Sequence, residues 1–330
     1  MNREEAIAKG LEVHETQHSM KRRSPWHDYH RKGSYMLTLV VEGRAPILGE
    51  LRGKADAPKG SPDAPRVEYS EIGKVILNEE IGKISKHYPQ VEVWKVCVMP
   101  DHVHMIVRVT DDMPKGNHLG KVIAGFKSGC NNVYWRLNGM NKPPRKGLFE
   151  SGYNDKILLH KGQLDNWKAY LDDNPRRLHI KWQNPELFTV LYGMKIAEHQ
   201  CQVVGNLFLL DIPDKMAVIV HRCYTDGEYA RLREEWLACG DRGGVLVSAA
   251  ISQKEKEVLR EAMNRGYRII LLRENGFSKL YKPSGESFDA CSEGLLLQIS
   301  PWEFHMEKKT ITRAQCLELN AMAKRIANNG

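Results

Sequence analysis

Polar and apolar positions along the first half of the chain change period several times. "SYMLTLVVEG" (34–43) alternates and is rich in β-branched residues, which predicts a strand. "RGKADAPKGSPDAPR" (52–66) is dense in proline, glycine and charge and reads as a loop. From residue 67, Ile72, Val75, Ile76, Ile81 and Ile84 recur at helical spacing. "VEVWKVCVMP" and "DHVHMIVRV" (91–109) are two strands joined by a tight turn, and a helix starts near Leu119. "NKPPRKG" (141–147) is a basic loop, "NDKILLH" (154–160) a short strand, and "LDNWKAYLDDNP" a helix halted by Pro175. The order β-α-β-β-α-β followed by a further helix is the split-βαβ, or ferredoxin-like, order.

The second half changes character. Residues 181–200 read as a connector. "VVGNLFLLDIP" and "KMAVIVH" follow as strands. Then helix, strand, helix and strand alternate through "DGEYARLREEWLACG", "GGVLVSA", "SQKEKEVLREAMNRG" and "YRIILLRE". A loop holding "KPSGESF", the strand "GLLLQIS" and a helix from about Thr312 complete the pattern. Such alternation predicts a parallel α/β sheet. The expected organisation is a basic arm (1–34), an α+β domain (35–180), the connector and an α/β domain (201–330).

One strand is unusual. In "VMPDHVHMIV" (98–107), His102 and His104 interrupt an apolar run. Strand period two puts both imidazoles on one face with Ile106 and Arg108. Val103, Met105, Val107 and Val109 form the other, core-like face. Two imidazoles side by side at a strand end suit a cation or a phosphate. A solvated, hydrogen-bonded pair is the plainer reading.

Composition narrows the partners. No apolar run is long enough for a membrane span, and the first twenty residues lack the apolar core of a secretory signal. The seven cysteines are scattered and never spaced C-x-x-C, which predicts reduced thiols in the cytoplasm. Net charge is +8 and concentrates in residues 1–200, with its densest stretch around the histidine pair. A basic surface there suits a polyanion, most simply nucleic acid.

A nucleophile is needed if the histidines serve catalysis. In "WKAYLDDNP", Tyr170 and Asn174 are four residues apart and share a helix face. If that face meets the sheet, a phenol and a carboxamide are presented together. A tyrosine can attack a phosphodiester when a nearby cation or base favours its phenolate. Tyr170 as a packing residue and Asn174 as a helix-end residue is the alternative.

"MPDHVHMIV" resembles the His-hydrophobic-His motif of single-tyrosine (HUH) transposases, and more closely that of the REP-associated tyrosine transposases. "YMLTLVVEGRAPILGEL", "VIAGFKSGCNNVYWRLNG", "KGLFESGYNDKIL" and "YLDDNPRRLHIKW" resemble further segments of that family in the expected order. The resemblance spans roughly residues 25–190. It implies a ferredoxin-like domain in which His102 and His104 bind metal, Asn174 supplies an amide ligand and Tyr170 is the nucleophile. It also implies Mg²⁺ or Mn²⁺, although imidazoles alone would suit zinc. The implied substrate is single-stranded or hairpin DNA, cleaved through a 5′-phosphotyrosine. Tyr153 is the rival nucleophile. Lys127, Lys142, Arg145 and Lys146 are expected DNA contacts from charge and position. Phe149 and Glu150 stand where the family often has Trp-Gln, and the 52–66 loop is long.

The stretch from Gly243 to Trp302 resembles the Rossmann-like fold of DNA-processing protein A and its nucleotide-binding relatives. Gly243, Gly244 and Ser248 are the expected phosphate contacts, although no G-x-G-x-x-G or P-loop is present. The whole reads as a two-domain DNA strand transferase, monomeric or homodimeric. A non-catalytic hairpin-binding regulator of repeat elements, and a replication-initiator or relaxase-type nuclease, are the alternatives.

Overall fold

The computed structural model describes residues 23–140, 147–279, 281–307 and 309–328. The chain is a mixed α+β protein that divides into two compact units, Met1–His179 and Ile180–Gly330. Among the described residues no helix is long and apolar enough to cross a membrane. All seven cysteines are free.

The first unit runs β1 (Gly33–Val40), β2 (Gly49–Arg52), β3 (Arg66–Tyr69), α1 (Glu71–Val75), a π-turn (Ile76–Glu80), α2 (Ile81–His87), β4 (Val91–Met99), β5 (His102–Val109), α3 (Leu119–Leu137), β6 (Asn154–Ile157) and α4 (Gln163–Gln183). Four strands form one sheet in the order β4-β5-β1-β6, every neighbour antiparallel. Strand alternation then divides the side chains. Tyr35, Leu37 and Leu39 join Val103, Met105, Val107 and Val109 in a core with Ile76 and Ile84, and with Val122, Ile123 and Phe126 of α3. The opposite face buries Met36 and Ile106 under Trp167 and Leu171 of α4. Lys95 Nζ on β4, 2.6 Å from Asp172 of α4, adds an ion pair across that contact.

Two local expectations are corrected here. Pro175 does not end its helix: α4 continues to Gln183 with the proline inside. Proline removes one backbone hydrogen bond. Trp167 and Leu171 before it pack on the sheet, and Arg177 and Ile180 after it are buried. The helix after the 52–66 loop starts only at Glu71, because residues 66–69 pair with 49–52 as a hairpin. Ser70 Oγ accepts from the Gly73 amide and marks the start. The 1–34 arm lies outside the described residues up to position 22. Beyond it, Arg23 and Tyr29 both bind the Asp155 carboxylate.

The second unit begins with a hairpin, β7 (Leu191–Ile196) and β8 (His199–Gly205), where a connector was expected. Its turn residues Ala197 and Glu198 both have positive φ, 46° and 73°, without the glycine or asparagine that usually announces such a turn. There follow β9 (Lys215–Ala217), α5 (Asp226–Asp241), β10 (Val245–Ser248), α6 (Gln253–Asn264), β11 (Arg268–Leu272), α7 (Glu286–Ser292), β12 (Leu296–Ser300) and α8 (Arg313–Asn328). The sheet order is β7-β8-β12-β11-β10-β9, with β9 to β12 parallel and β8 antiparallel to β12. Val245, Val247, Ile270, Leu272, Leu297 and Ile299 pack on Leu319, Met322, Ala323 and Ile326 of α8. Two stretches differ from expectation. "NLFLL" is a 3-10 turn, because Gly205 at φ 108° turns the chain where a Cβ would strike the Leu296 carbonyl. The "KPSGESF" loop runs directly into α7.

Candidate functional site

The site is built on the sheet face that α4 covers. Across the strands, His104 is registered with Thr38 on β1 and with Cys97 on β4, and His102 with Val40 and Met99. The two imidazole centroids are 4.6 Å apart. α4 brings Tyr170 to the same place, its ring centroid 5.7 Å from that of His104. Asn174 lies one helical turn on and is buried, 5% exposed. Thus the structure brings His102, His104 and Tyr170 together, with Asn174 beside Tyr170 on α4.

Each histidine is held by its Nδ1. Asp101 Oδ1 lies 2.6 Å from His102 Nδ1, and a carboxylate there fixes the N–H on that nitrogen. Burial works against the Asp101 charge, but His102 and Arg44 outweigh it and hold the carboxyl below its usual value. Thr38 Oγ1 lies 2.8 Å from His104 Nδ1. Burial, then the nearby His102, pull His104 down to about 3, so this ring is neutral at ordinary pH. With Nδ1 of His102 donating to Asp101, its Nε2 carries the lone pair a metal ligand requires, and Thr38, by accepting from Nδ1 of His104, can leave that ring's Nε2 free in the same way.

Tyr170 is raised above the ordinary phenol value by burial, with Arg177 and Asn174 acting the other way. Pattern reading missed Arg177, which sits two turns past Tyr170 on the same stripe of α4, at i+7. It also missed Lys156. β6 pairs so that Lys156 shares the His104 face, where its charge further disfavours a protonated His104. Both were visible as basic residues. Neither could be assigned to the site before the strand register and the helix docking were known.

The donors present fit a divalent cation in part. Among the described residues no three His, Cys, Asp or Glu side chains gather as a metal site. Glu150 is exposed, its amide donating to the Val40 carbonyl at 2.8 Å, and does not complete such a group. The remaining candidate ligand is Asn174, which would offer its carboxamide oxygen; its buried amide nitrogen has no hydrogen-bond partner of good geometry among the described residues. Two imidazoles and one carboxamide leave positions open for phosphate and water oxygens.

The other expected residues are dispersed. Tyr153 precedes Asn154 and so falls on the opposite face, packed against the core there, with the Arg23 guanidinium 3.4 Å from its ring centroid. Burial pushes its hydroxyl up to about 12. Lys127 is on α3, which covers that same far face. Its ammonium donates to the carbonyls of Glu150 (2.6 Å) and Gly152. Burial, then Arg23, lower it to about 8. Lys142, Arg145 and Lys146 lie outside the described residues.

In the second unit, Gly243 and Gly244 end α5 and open β10, whereas Ser248 closes that strand. They are separated by about 13 Å at 3.3 Å per residue, so they form no common phosphate cradle. Gly243 has φ 81°, and a Cβ on Gly244 would lie 2.5 Å from Cys239 Sγ. Ser248 is fully buried and donates to the Val218 carbonyl. At the carboxyl end of β10, the amides of Val220, Ile251 and Ser252 are bound by the Glu255 carboxylate at 2.8, 2.7 and 2.9 Å. The chain's own anion therefore fills the place where a phosphate would meet the start of α6.

No family model matches the chain, and no curated protein matches it. Several solved structures share part of its shape, three of them as follows. A REP-associated tyrosine transposase bound to a REP hairpin is 15% identical, over 45% of this chain and 70% of that one, at a TM-score of 0.30. A protein described as a transposase from Deinococcus radiodurans is 13% identical, over 44% and 94%, at 0.28. DNA processing protein A from Helicobacter pylori, studied for its single-stranded DNA binding, is 18% identical, over 42% and 65%, at 0.30. At such scores the shared shape is partial, and the function below rests on the side chains.

Proposed function

We propose that the first unit is a ferredoxin-like HUH nuclease that cuts and rejoins single-stranded or hairpin DNA through Tyr170. The observation that supports this reading is the meeting of His102, His104 and Tyr170 on one sheet face, with Asn174 next to Tyr170. The first two arrive on β5 and the last two on α4, so an accident of local sequence does not explain their convergence. Both imidazoles are held from behind, by Asp101 and by Thr38.

His102, His104 and Asn174 would hold Mg²⁺ or Mn²⁺, which supplies Lewis-acid polarisation of the scissile phosphate. The Tyr170 oxygen attacks phosphorus, and the P–O3′ bond breaks. The product is a 5′-phosphotyrosine and a free 3′-OH, the phenol proton ending on the 3′ oxygen. A second 3′-OH reverses the step on another strand. Ester is exchanged for ester, so no nucleotide cofactor is consumed. Lys156, exposed beside the site, is placed to steady the DNA backbone. The second unit is read as a Rossmann-like domain whose β10–α6 anion position is satisfied internally by Glu255.

The test is a cleavage assay on a pool of single-stranded DNA hairpins with Mn²⁺ or EDTA, using wild type and Tyr170→Phe. A metal-dependent covalent band that disappears in Tyr170→Phe supports the reading. A band that persists moves the nucleophile. Hairpin binding without any band favours a non-catalytic regulator.

A further inference from the structure

His118 occupies the N-cap of α3, where Ser, Thr, Asp or Asn usually accepts from a first-turn amide. Its imidazole makes no such bond. The residue is 7% exposed, and its Nδ1 has no hydrogen-bond partner among the described residues. Beside it lies a second imidazole: the His30 ring centroid is 5.5 Å away, with the planes at 56°. The backbone on either side of the two rings is tied. The Leu119 amide, first of the helix, donates to the Tyr29 carbonyl at 3.2 Å, and the Met113 amide donates to the His30 carbonyl at 2.8 Å. The irregular segment 23–32 therefore caps the helix start in place of a capping side chain.

A proton on His118 has nothing to meet it. Burial lowers this histidine most, followed by His30 and then by Lys121, one turn along α3. The carboxylates of the flanking segments are engaged elsewhere. Asp28 accepts from the His30 amide and pairs with Arg31, Asp111 pairs with Lys32, and Asp112 accepts from the Lys32 amide.

We propose that His30 and His118 form a proton-sensitive clasp, which holds residues 23–32 on the start of α3 while both rings are neutral and releases them in acid. The clasp does not depend on the nuclease reading above. In the closed form a protonated His118 is a buried cation beside a lysine and a second histidine. In the open form the ring is hydrated and behaves as an ordinary histidine, with a value of about 6.5. The open form takes the proton first, so the closed form loses ground as pH falls below that value. An irregular segment opens locally at less cost than a central strand, which confines the response to the clasp. Release reaches beyond the two rings. Tyr29 gives its carbonyl to α3 and its hydroxyl to Asp155 of β6, the strand that carries Lys156 on the histidine face. Opening the clasp thus frees a side chain that holds Asp155 in place.

The experiment is amide hydrogen exchange on the full chain, followed by NMR at about pH 7.5 and about pH 5.0, on either side of the ordinary histidine value, and corrected for the intrinsic effect of pH. Met113 and Leu119, whose amides are bonded to the arm, are the reporters, and the amides of β5 are the reference. In the wild type, protection of the two reporters is expected to fall in acid by about three- to thirtyfold relative to β5, the upper figure being the limit that an ordinary histidine value sets. His118→Gln, which cannot take the proton, is expected to abolish that fall. Reporters that follow β5 in the wild type, or a fall of the same size in His118→Gln, overturn the clasp. If His118→Gln fails to fold, the wild-type imidazole is titrated by NMR instead. His118 titrating at or above the value of an exposed histidine overturns the proposal, and titration below it, accompanied by the loss of protection, supports it.

Discussion

Asp101 Oδ1 sits 2.6 Å from His102 Nδ1, so the residue that ends the β4–β5 turn also sets the tautomer of the first histidine of the strand. Thr38 Oγ1 holds His104 Nδ1 from the neighbouring strand, at 2.8 Å. Such partners behind a ligand are worth about 10–100-fold in metal affinity. Asp101→Asn and Thr38→Val are each expected to weaken Mn²⁺ binding by that order, measured by spin-resonance titration. Undiminished affinity in both variants would mean that the histidines do not bind metal.

Tyr153 and Tyr170 separate cleanly. Tyr153 is on the far face, and its buried hydroxyl has no hydrogen-bond partner among the described residues. Tyr153→Phe is expected to retain adduct formation and to be no less stable than wild type, gaining up to about 1 kcal/mol from loss of an unsatisfied polar group. A covalent adduct lost in Tyr153→Phe but kept in Tyr170→Phe would reverse the assignment.

Salt dependence distinguishes the two lysines. Lys156 is exposed on the histidine face, whereas the Lys127 ammonium is bound to two backbone carbonyls. Lys156→Gln should reduce the slope of log K against log salt for hairpin binding by about 0.7–0.9, the contribution of one phosphate contact. Lys127→Gln should leave the slope unchanged and lower the unfolding temperature instead.

The fold should weaken in alkali. Burial raises Cys97 and Cys291 from 9.0 to about 12, and Cys201 to about 11. Burial likewise raises Tyr29 and Tyr35 from 10.0, with Asp155 reinforcing both. From about pH 9 upward the unfolded chain gives up these protons while the folded chain keeps them. The folded state then binds more protons, so its stability falls as pH rises. Thermal unfolding between pH 8 and 10.5 should show a falling transition temperature. Lys127 pulls the other way: its lowered value makes burial of the ammonium less costly as pH rises from 8. Lys127→Gln should therefore steepen the fall.

Much of the molecule is legible in local pattern. Period-two alternation located β1, β4, β5 and β6, and 3.6-residue spacing located α3 and α4. The β-strand period alone puts His102 and His104 on one face, and the helical period alone puts Tyr170 beside Asn174. These are properties of neighbours in sequence. Elements that depend on distant partners were not visible. β7 and β8 needed a turn formed by Ala197 and Glu198 without glycine, and β3 was merged with the helix it precedes. Pro175 looked like a stop because its missing hydrogen bond is a local fact, while the packing of Trp167 and Leu171 on the sheet is not.

Sequence by itself determined which side chains travel together on each element. Only the tertiary structure decided which elements meet. Strand register set Thr38 behind His104 and sent Tyr153 to the far face. Packing of Trp167 and Leu171 on Met36 and Ile106 brought Tyr170 to the histidines and carried Arg177 with it. The same register put Lys156, rather than Lys127, beside the pair. The physical reason is that a repeat fixes directions within one element, whereas proximity between elements comes from burying their apolar faces against each other.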